Sequence, residues 1–118
     1  MVFTNQTYSQ VAKHAIAIAS TEEILYTVPA GTAVIGQIFA VNTSSTLNRT
    51  FRVSISSGGG ATAAADYLAY DVSLVPGESW DFTGATLNAA DVVRVYSNAT
   101  STTAGTGVIF QIYGELLS

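Results

Sequence analysis

Leu25-Tyr-Thr-Val-Pro-Ala-Gly-Thr32 runs straight into Ala33-Val-Ile-Gly-Gln-Ile-Phe-Ala-Val41. The approach to the first turn alternates, with Ile24, Tyr26 and Val28 set against more polar neighbours. Pro29 and Gly31 then punctuate the chain, because proline presets φ and glycine accepts positive φ. The following run is apolar on both faces, as a central strand covered on each side would be. Two strands joined by a Pro-Gly turn, with no reactive group beside them, set the pattern for everything else.

Outward from that point, period-2 alternation continues, broken by turn signals roughly every 8–14 residues, the signature of an all-β sandwich or barrel. Arg49 to Ser56 points Phe51, Val53 and Ile55 one way and Thr50, Arg52, Ser54 and Ser56 the other. Tyr67 to Leu74 follows, with Leu68, Tyr70, Val72 and Leu74 as its expected core set. Val75-Pro-Gly-Glu78 reads as a turn, and Ser79 to Thr83 as a strand around Trp80 and Phe82. Asp91 to Ser97 and Gly107 to Leu116 complete seven or eight antiparallel strands in two sheets. Two uncharged, small-residue-rich loops, 56–65 and 98–107, read as surface tips, or as contact loops if a partner orders them.

The first twenty residues behave differently. Val11-Ala-Lys-His-Ala-Ile-Ala-Ile-Ala19 is apolar but built of small residues. We read residues 1–20 as an extended N-terminal arm running into the first strand, ahead of a single sandwich domain over 21–118. A first strand of the sandwich, with Ala12, His14, Ile16 and Ile18 sharing a face, is the competing reading. The alanines also permit a short helix.

Composition narrows the function. Of 118 residues, 48% are hydrophobic and only 10% charged, against about 25% in soluble domains. Such a surface, filled with Ser, Thr, Ala and Gly, suits a protein packed among others. The net charge is -4, and Lys13, Arg49, Arg52 and Arg94 are scattered, which disfavours nucleic acid. Cysteine is absent, so neither a disulfide nor thiolate chemistry enters. The N-terminus lacks a basic region followed by an apolar run, and no stretch approaches the roughly 18 apolar residues of a membrane helix. The expectation is a chain made and kept in the cytosol, or assembled into something there, with no membrane partner.

Candidate chemistry is thin. His14 is the single histidine, and one imidazole cannot build a three-ligand zinc site. Gly77-Glu-Ser79-Trp-Asp81 has the start of a nucleophile elbow but lacks its closing glycine and its strand-to-helix setting. Asp66, Asp71, Glu78 and Asp81 fall close together. Carboxylate pairs serve glycoside hydrolysis or calcium, but here they alternate along strands and read as solvated faces and turn caps. Asn-x-Ser/Thr triplets at Asn5, Asn42, Asn48 and Asn98 are near chance in so Ser/Thr-rich a chain. Tyr67, Tyr70, Trp80, Phe82, Tyr96 and Tyr113 either line a carbohydrate groove, with Trp80 as platform, or pack between the sheets. Neither an enzyme activity nor a cofactor is expected.

Read in order, several segments carry a resemblance. They are Leu25 to Thr32, the apolar strand ending Val41-Asn42, Thr50-Phe-Arg-Val-Ser54, Asp66-Tyr-Leu-Ala-Tyr-Asp71, Val75-Pro-Gly-Glu78, Leu87-Asn-Ala-Ala-Asp-Val-Val-Arg-Val-Tyr96 and Phe110-Gln-Ile-Tyr-Gly-Glu115. Their order and spacing over most of residues 23–116 resemble small virion proteins of tailed bacteriophages. The resemblance implies an immunoglobulin-like sandwich without the inter-sheet disulfide. It also implies a non-enzymatic role as a capsid decoration (cement) protein, or as a tail, baseplate or fibre module. The implied partners are the major capsid protein or other virion proteins, in a homo-oligomer with a trimer favoured. Val2, Phe3, Tyr8, Val11, His14, Ile16 and Ile18 are the expected interface, reaching a neighbour from the arm. A carbohydrate-binding module is the alternative of a different kind.

Overall fold

The computed structural model describes residues 8–16, 18–100 and 107–117. Eight strands form: β1 (Tyr8–Ala15), β2 (Glu23–Thr27), β3 (Ala33–Asn42), β4 (Arg49–Ser56), β5 (Tyr67–Leu74), β6 (Ser79–Leu87), β7 (Val92–Ser97) and β8 (Val108–Leu117). They make two four-stranded antiparallel sheets, in the orders β1-β8-β3-β6 and β2-β7-β4-β5. The expected antiparallel sandwich is therefore present. Its connectivity is that of a double Greek key, or jelly roll. An immunoglobulin domain keeps its first two strands side by side in one sheet, whereas here β1 and β2 lie in opposite sheets, and among sequential strands only β4 and β5 pair.

The Pro-Gly turns are thus arches between sheets rather than hairpins. Thr32 donates its amide to Pro29 O at 3.2 Å and its hydroxyl to the same oxygen at 2.8 Å. Gly31, at φ +75°, supplies the left-handed residue of that turn. Val75 to Glu78 repeats the device, with Gly77 at φ +79° and the Glu78 amide on Val75 O at 3.0 Å.

Between the sheets lies one apolar core, in which Phe51, Phe110, Ile38, Ile112, Leu87, Val34, Val53 and Val93 are fully buried. Each such side chain contributes about 1.5–3 kcal/mol by leaving water. Phe51 is the central ring, meeting Phe110 at 6.1 Å and Trp80 at 5.2 Å between centroids.

Over residues 8–15 the segment is the first strand of the sandwich, the competing reading to an extended arm, while residues 1–7 lie outside the described residues. β1 pairs along β8 from Tyr8 opposite Glu115 to Ala15 opposite Ile109, and Ile16 is fully buried. Without β1, β8 would be an open edge, and the Ala12, His14 and Ile16 alternation supplies a face to close it.

The edges of both sheets share one feature. Register breaks place an extra residue at Val11 in β1, Leu25 in β2 and Gly84 in β6, and twice in β5. All of these lie on edge strands, while the central β3–β8 and β4–β7 ladders run in regular register. Bulges twist an edge away from foreign strands. In a chain with so few charges, they provide edge protection that charged side chains would otherwise supply.

Candidate functional site

The bulges in β5 build the most specialised surface of the molecule. Between Phe51 opposite Val72 and Val53 opposite Ala69, Arg52 alone faces the two residues Tyr70 and Asp71. Asp71 absorbs the extra residue at φ +51°, a conformation that Asp tolerates better than most residues. Strict alternation put Tyr70 in the core with Leu68, Val72 and Leu74. Instead Leu74 and Ala69 are buried, and Tyr70 is 56% exposed on the outer face.

There the Arg52 guanidinium lies 4.2 Å from the centroids of both Tyr70 and Tyr96, an arrangement that attracts a cation to each ring face. Asp71 binds it with both oxygens, Nε to Oδ1 at 2.7 Å and Nη2 to Oδ2 at 3.2 Å. This hydrogen bonding holds the Asp71 carboxyl below its ordinary pKa and raises that of Arg52, against an opposing desolvation effect on each. Tyr67 stands against Tyr70, 4.9 Å between centroids and 83° between planes.

The 56–65 loop folds over the same sheet instead of extending as a tip. Arg94 donates through Nη1 to Ser56 Oγ at 2.8 Å, Gly60 O at 2.8 Å and Thr62 Oγ1 at 3.4 Å. Thr62 in turn donates to Glu22 Oε1 at 3.1 Å, and Asp91 Oδ1 accepts the Gly58 amide at 2.9 Å. Of the second loop, residues 101–106 lie outside the described residues.

The outer face of the β1-β8-β3-β6 sheet is of another character. Among the described residues, no other element packs over the outer side of β3, where its residues are half-buried or exposed. Its outward residues include Ile35, 47% exposed, and Phe39, which meets Tyr113 edge-on at 5.8 Å. Tyr8 is 53% exposed and donates to Gln37 Oε1 at 2.8 Å, while Gln37 donates to Thr83 Oγ1 at 3.0 Å. A shallow depression of about 380 Å³ opens between Tyr8, Ile35, Gln37, Thr83 and Glu115.

The seven expected interface residues do not form one surface. Val2 and Phe3 lie outside the described residues. Tyr8 is on the outer face just described, Val11 packs against the core, and Ile16 is inside it. His14 faces Glu23 across the sheets, Nε2 to Oε1 at 2.7 Å, and Ile18, 60% exposed, sits in the connection to β2. Burial of Ile16 in the core corrects its place in an arm reaching a neighbour.

The remaining candidates find ordinary partners. Asp66 Oδ2 accepts the Ala63 amide and Glu78 Oε1 the Val75 amide, so both hold turns. Asp81 Oδ2 accepts from Thr83. Ser79 is an exposed strand residue. Trp80 packs on Phe51, so it offers no open platform; of the six rings considered for a carbohydrate groove, the exposed one is Tyr70. Asn42 is fully buried. Its Nδ2 donates to Leu47 O and Leu74 O at 2.9 Å each, and its Oδ1 accepts the Ser44 amide. Among the described residues, no group of three or more His, Cys, Asp or Glu stands together, and no helix is long and apolar enough to cross a membrane.

The Arg52 cluster escaped sequence reasoning, which treated β5 as regular. A hint lay in Tyr67-Leu-Ala-Tyr-Asp71, whose two tyrosines cannot share a face in an unbulged strand. No protein-family model matches the chain, and neither a curated protein nor a solved structure matches it.

Proposed function

We propose that this chain is a non-enzymatic structural protein of a bacteriophage virion, a capsid decoration protein that seats the outer face of its β1-β8-β3-β6 sheet on the head. The observation that carries this reading is that face itself. Ile35 and Tyr8 are exposed there, and Phe39 and Tyr113 are half-buried against each other, apolar or aromatic side chains that no other described element packs over. Tyrosine and phenylalanine are enriched at protein interfaces, where charge is depleted. The resemblance of residues 23–116 to tailed-phage virion proteins supports the same reading. So does the double Greek key, an arrangement that recurs in viral capsid domains, although a fold alone never assigns a function.

The mechanism is adhesive. A rigid sandwich bridging neighbouring capsomers, as a trimer or in adjacent copies, buries surface that the bare shell leaves open. An interface of about 1,600 Å² suffices for a specific contact. Co-sedimentation with purified heads stripped of this protein tests the idea. The parent chain pellets with the heads, and an Ile35→Asp, Phe39→Asp double variant that remains folded stays in the supernatant. Undiminished pelleting of that variant refutes the docking face.

A further inference from the structure

The outer face of the other sheet carries a cleft that shell docking does not use. Tyr67 and Tyr70 form one side, and Thr62, Ala63 and Ala64 the other, around a volume of about 510 Å³. That lies within the range of about 300–1,000 Å³ typical of small-molecule sites.

Its lining selects the chemistry of an occupant. All five residues are uncharged, and the adjacent cation is already committed. Arg52 is stacked on Tyr70 and Tyr96 and bound through two nitrogens by Asp71. An anionic ligand therefore meets no free counter-charge. The aromatic pair offers π faces with partial negative charge, which attract weakly positive C–H groups. Neither tyrosine hydroxyl has a hydrogen-bond partner among the described residues, so both are available to a polar ligand. Ala63 and Ala64 leave room for a flat ring on the opposite side.

The walls are also set in advance. Three bonds from Arg94 and the Thr62–Glu22 contact hold the loop. The Asp66 carboxylate pins the Ala63 amide at 2.8 Å. A preformed wall spares the ligand the entropy of ordering it.

The geometry points to a binding cleft for a neutral saccharide. A pyranose ring has an apolar C–H face for one ring of the perpendicular Tyr67–Tyr70 pair and hydroxyls for the tyrosine oxygens. Because the cleft lies on the sheet opposite the docking face, it operates in the isolated chain as well as on a particle.

Titration of the intact ¹⁵N-labelled chain with methyl glucoside, methyl galactoside, maltotriose, cellotriose and sialyllactose, followed by amide shifts, tests this. At least one neutral sugar produces saturable shifts confined to residues 60–71 and their neighbours Arg52 and Tyr96. Tyr70→Ala, a change at an exposed position, weakens that binding by about tenfold or more, and Phe39→Ser on the opposite sheet leaves it unchanged. Three results overturn the inference: no saturable shift with any neutral sugar, a response to sialyllactose alone, or shifts that persist at full strength in Tyr70→Ala.

Discussion

Arg52 and Asp71 are joined by two hydrogen bonds, at 2.7 and 3.2 Å, across a bulge that exists because Asp71 takes φ +51°. The side-chain pair and the backbone irregularity belong together. In a regular β5, Tyr70 and Asp71 would point to opposite faces, and Arg52 would have one of them at most. The bulge puts both on the outer face. The Tyr70–Arg52–Tyr96 stack follows from that extra residue, and the second irregularity of β5, at Leu68, brings Tyr67 to the face of Tyr70.

Acid should dissolve this arrangement in a defined window. Arg52 lowers the Asp71 pKa in the folded chain, so the unfolded carboxyl, at about 3.9, protonates first on acidification. The pair's contribution is complete well above that value and is lost as pH falls through the folded pKa. Asp71→Asn keeps a residue that tolerates positive φ and removes only the charge. Denaturation of both proteins from about pH 6 to about pH 3 should show a stability gap that closes on the acid side. A gap of constant size contradicts the linkage.

Two glycines separate turn freedom from close packing. Gly36 and Gly114 are paired where β3 meets β8. A Cβ on Gly36 would run into the Tyr113 carbonyl and lie 2.6 Å from Gly114 Cα, all backbone. Gly36→Ala should cost about 3 kcal/mol or more, beyond ordinary overpacking. Gly31→Ala meets nothing within 4 Å and bears only the strain of φ +75°, about 1–2 kcal/mol. Urea unfolding followed by Trp80 fluorescence measures both, and equal losses would contradict the distinction.

Asn42 ties the end of β3 to the 43–48 segment and to the end of β5. Asn42→Ala strands two carbonyls and one amide in the interior, at about 1–3 kcal/mol for each buried group left unpaired. Loss of most of the folding cooperativity, or failure to fold, is the expected result by calorimetry. A drop below about 1 kcal/mol would show that water replaces all three bonds.

Ser54 is the opposite case. It is 1% exposed, and its hydroxyl has no hydrogen-bond partner among the described residues. Ser54→Ala should be neutral or stabilise the chain by up to about 1 kcal/mol, whereas Ser56→Ala, which removes an Arg94 contact, should destabilise it. Chemical denaturation of the two variants side by side decides this, and a clear destabilisation by Ser54→Ala would contradict it.

Strand positions were legible because alternation is local. Phe51 and Val53 face inward as their spacing requires, and both Pro-Gly turns stand where proline and glycine put them. The pairing order was not legible, since a Greek key and an immunoglobulin sandwich ask for the same alternation in each strand. β5 misled the reading because a bulge shifts the faces without changing composition, and its trigger is one aspartate able to adopt positive φ. The N-terminal segment misled it differently. Small residues satisfy an arm and an edge strand equally, and only the free edge of β8 decides between them. Trp80 is the largest aromatic, yet large apolar area is what the core rewards, and the exposed ring on the β2-β7-β4-β5 sheet is Tyr70.

Immunogold labelling of purified virions with an antibody to this chain, scored for position and copy number, tests the proposed role most directly. Dense label distributed over the head is the expected result. Sparse label at the tail would assign the chain to a tail, baseplate or fibre module, and label on no particle would remove it from the virion altogether; either contradicts a capsid decoration protein.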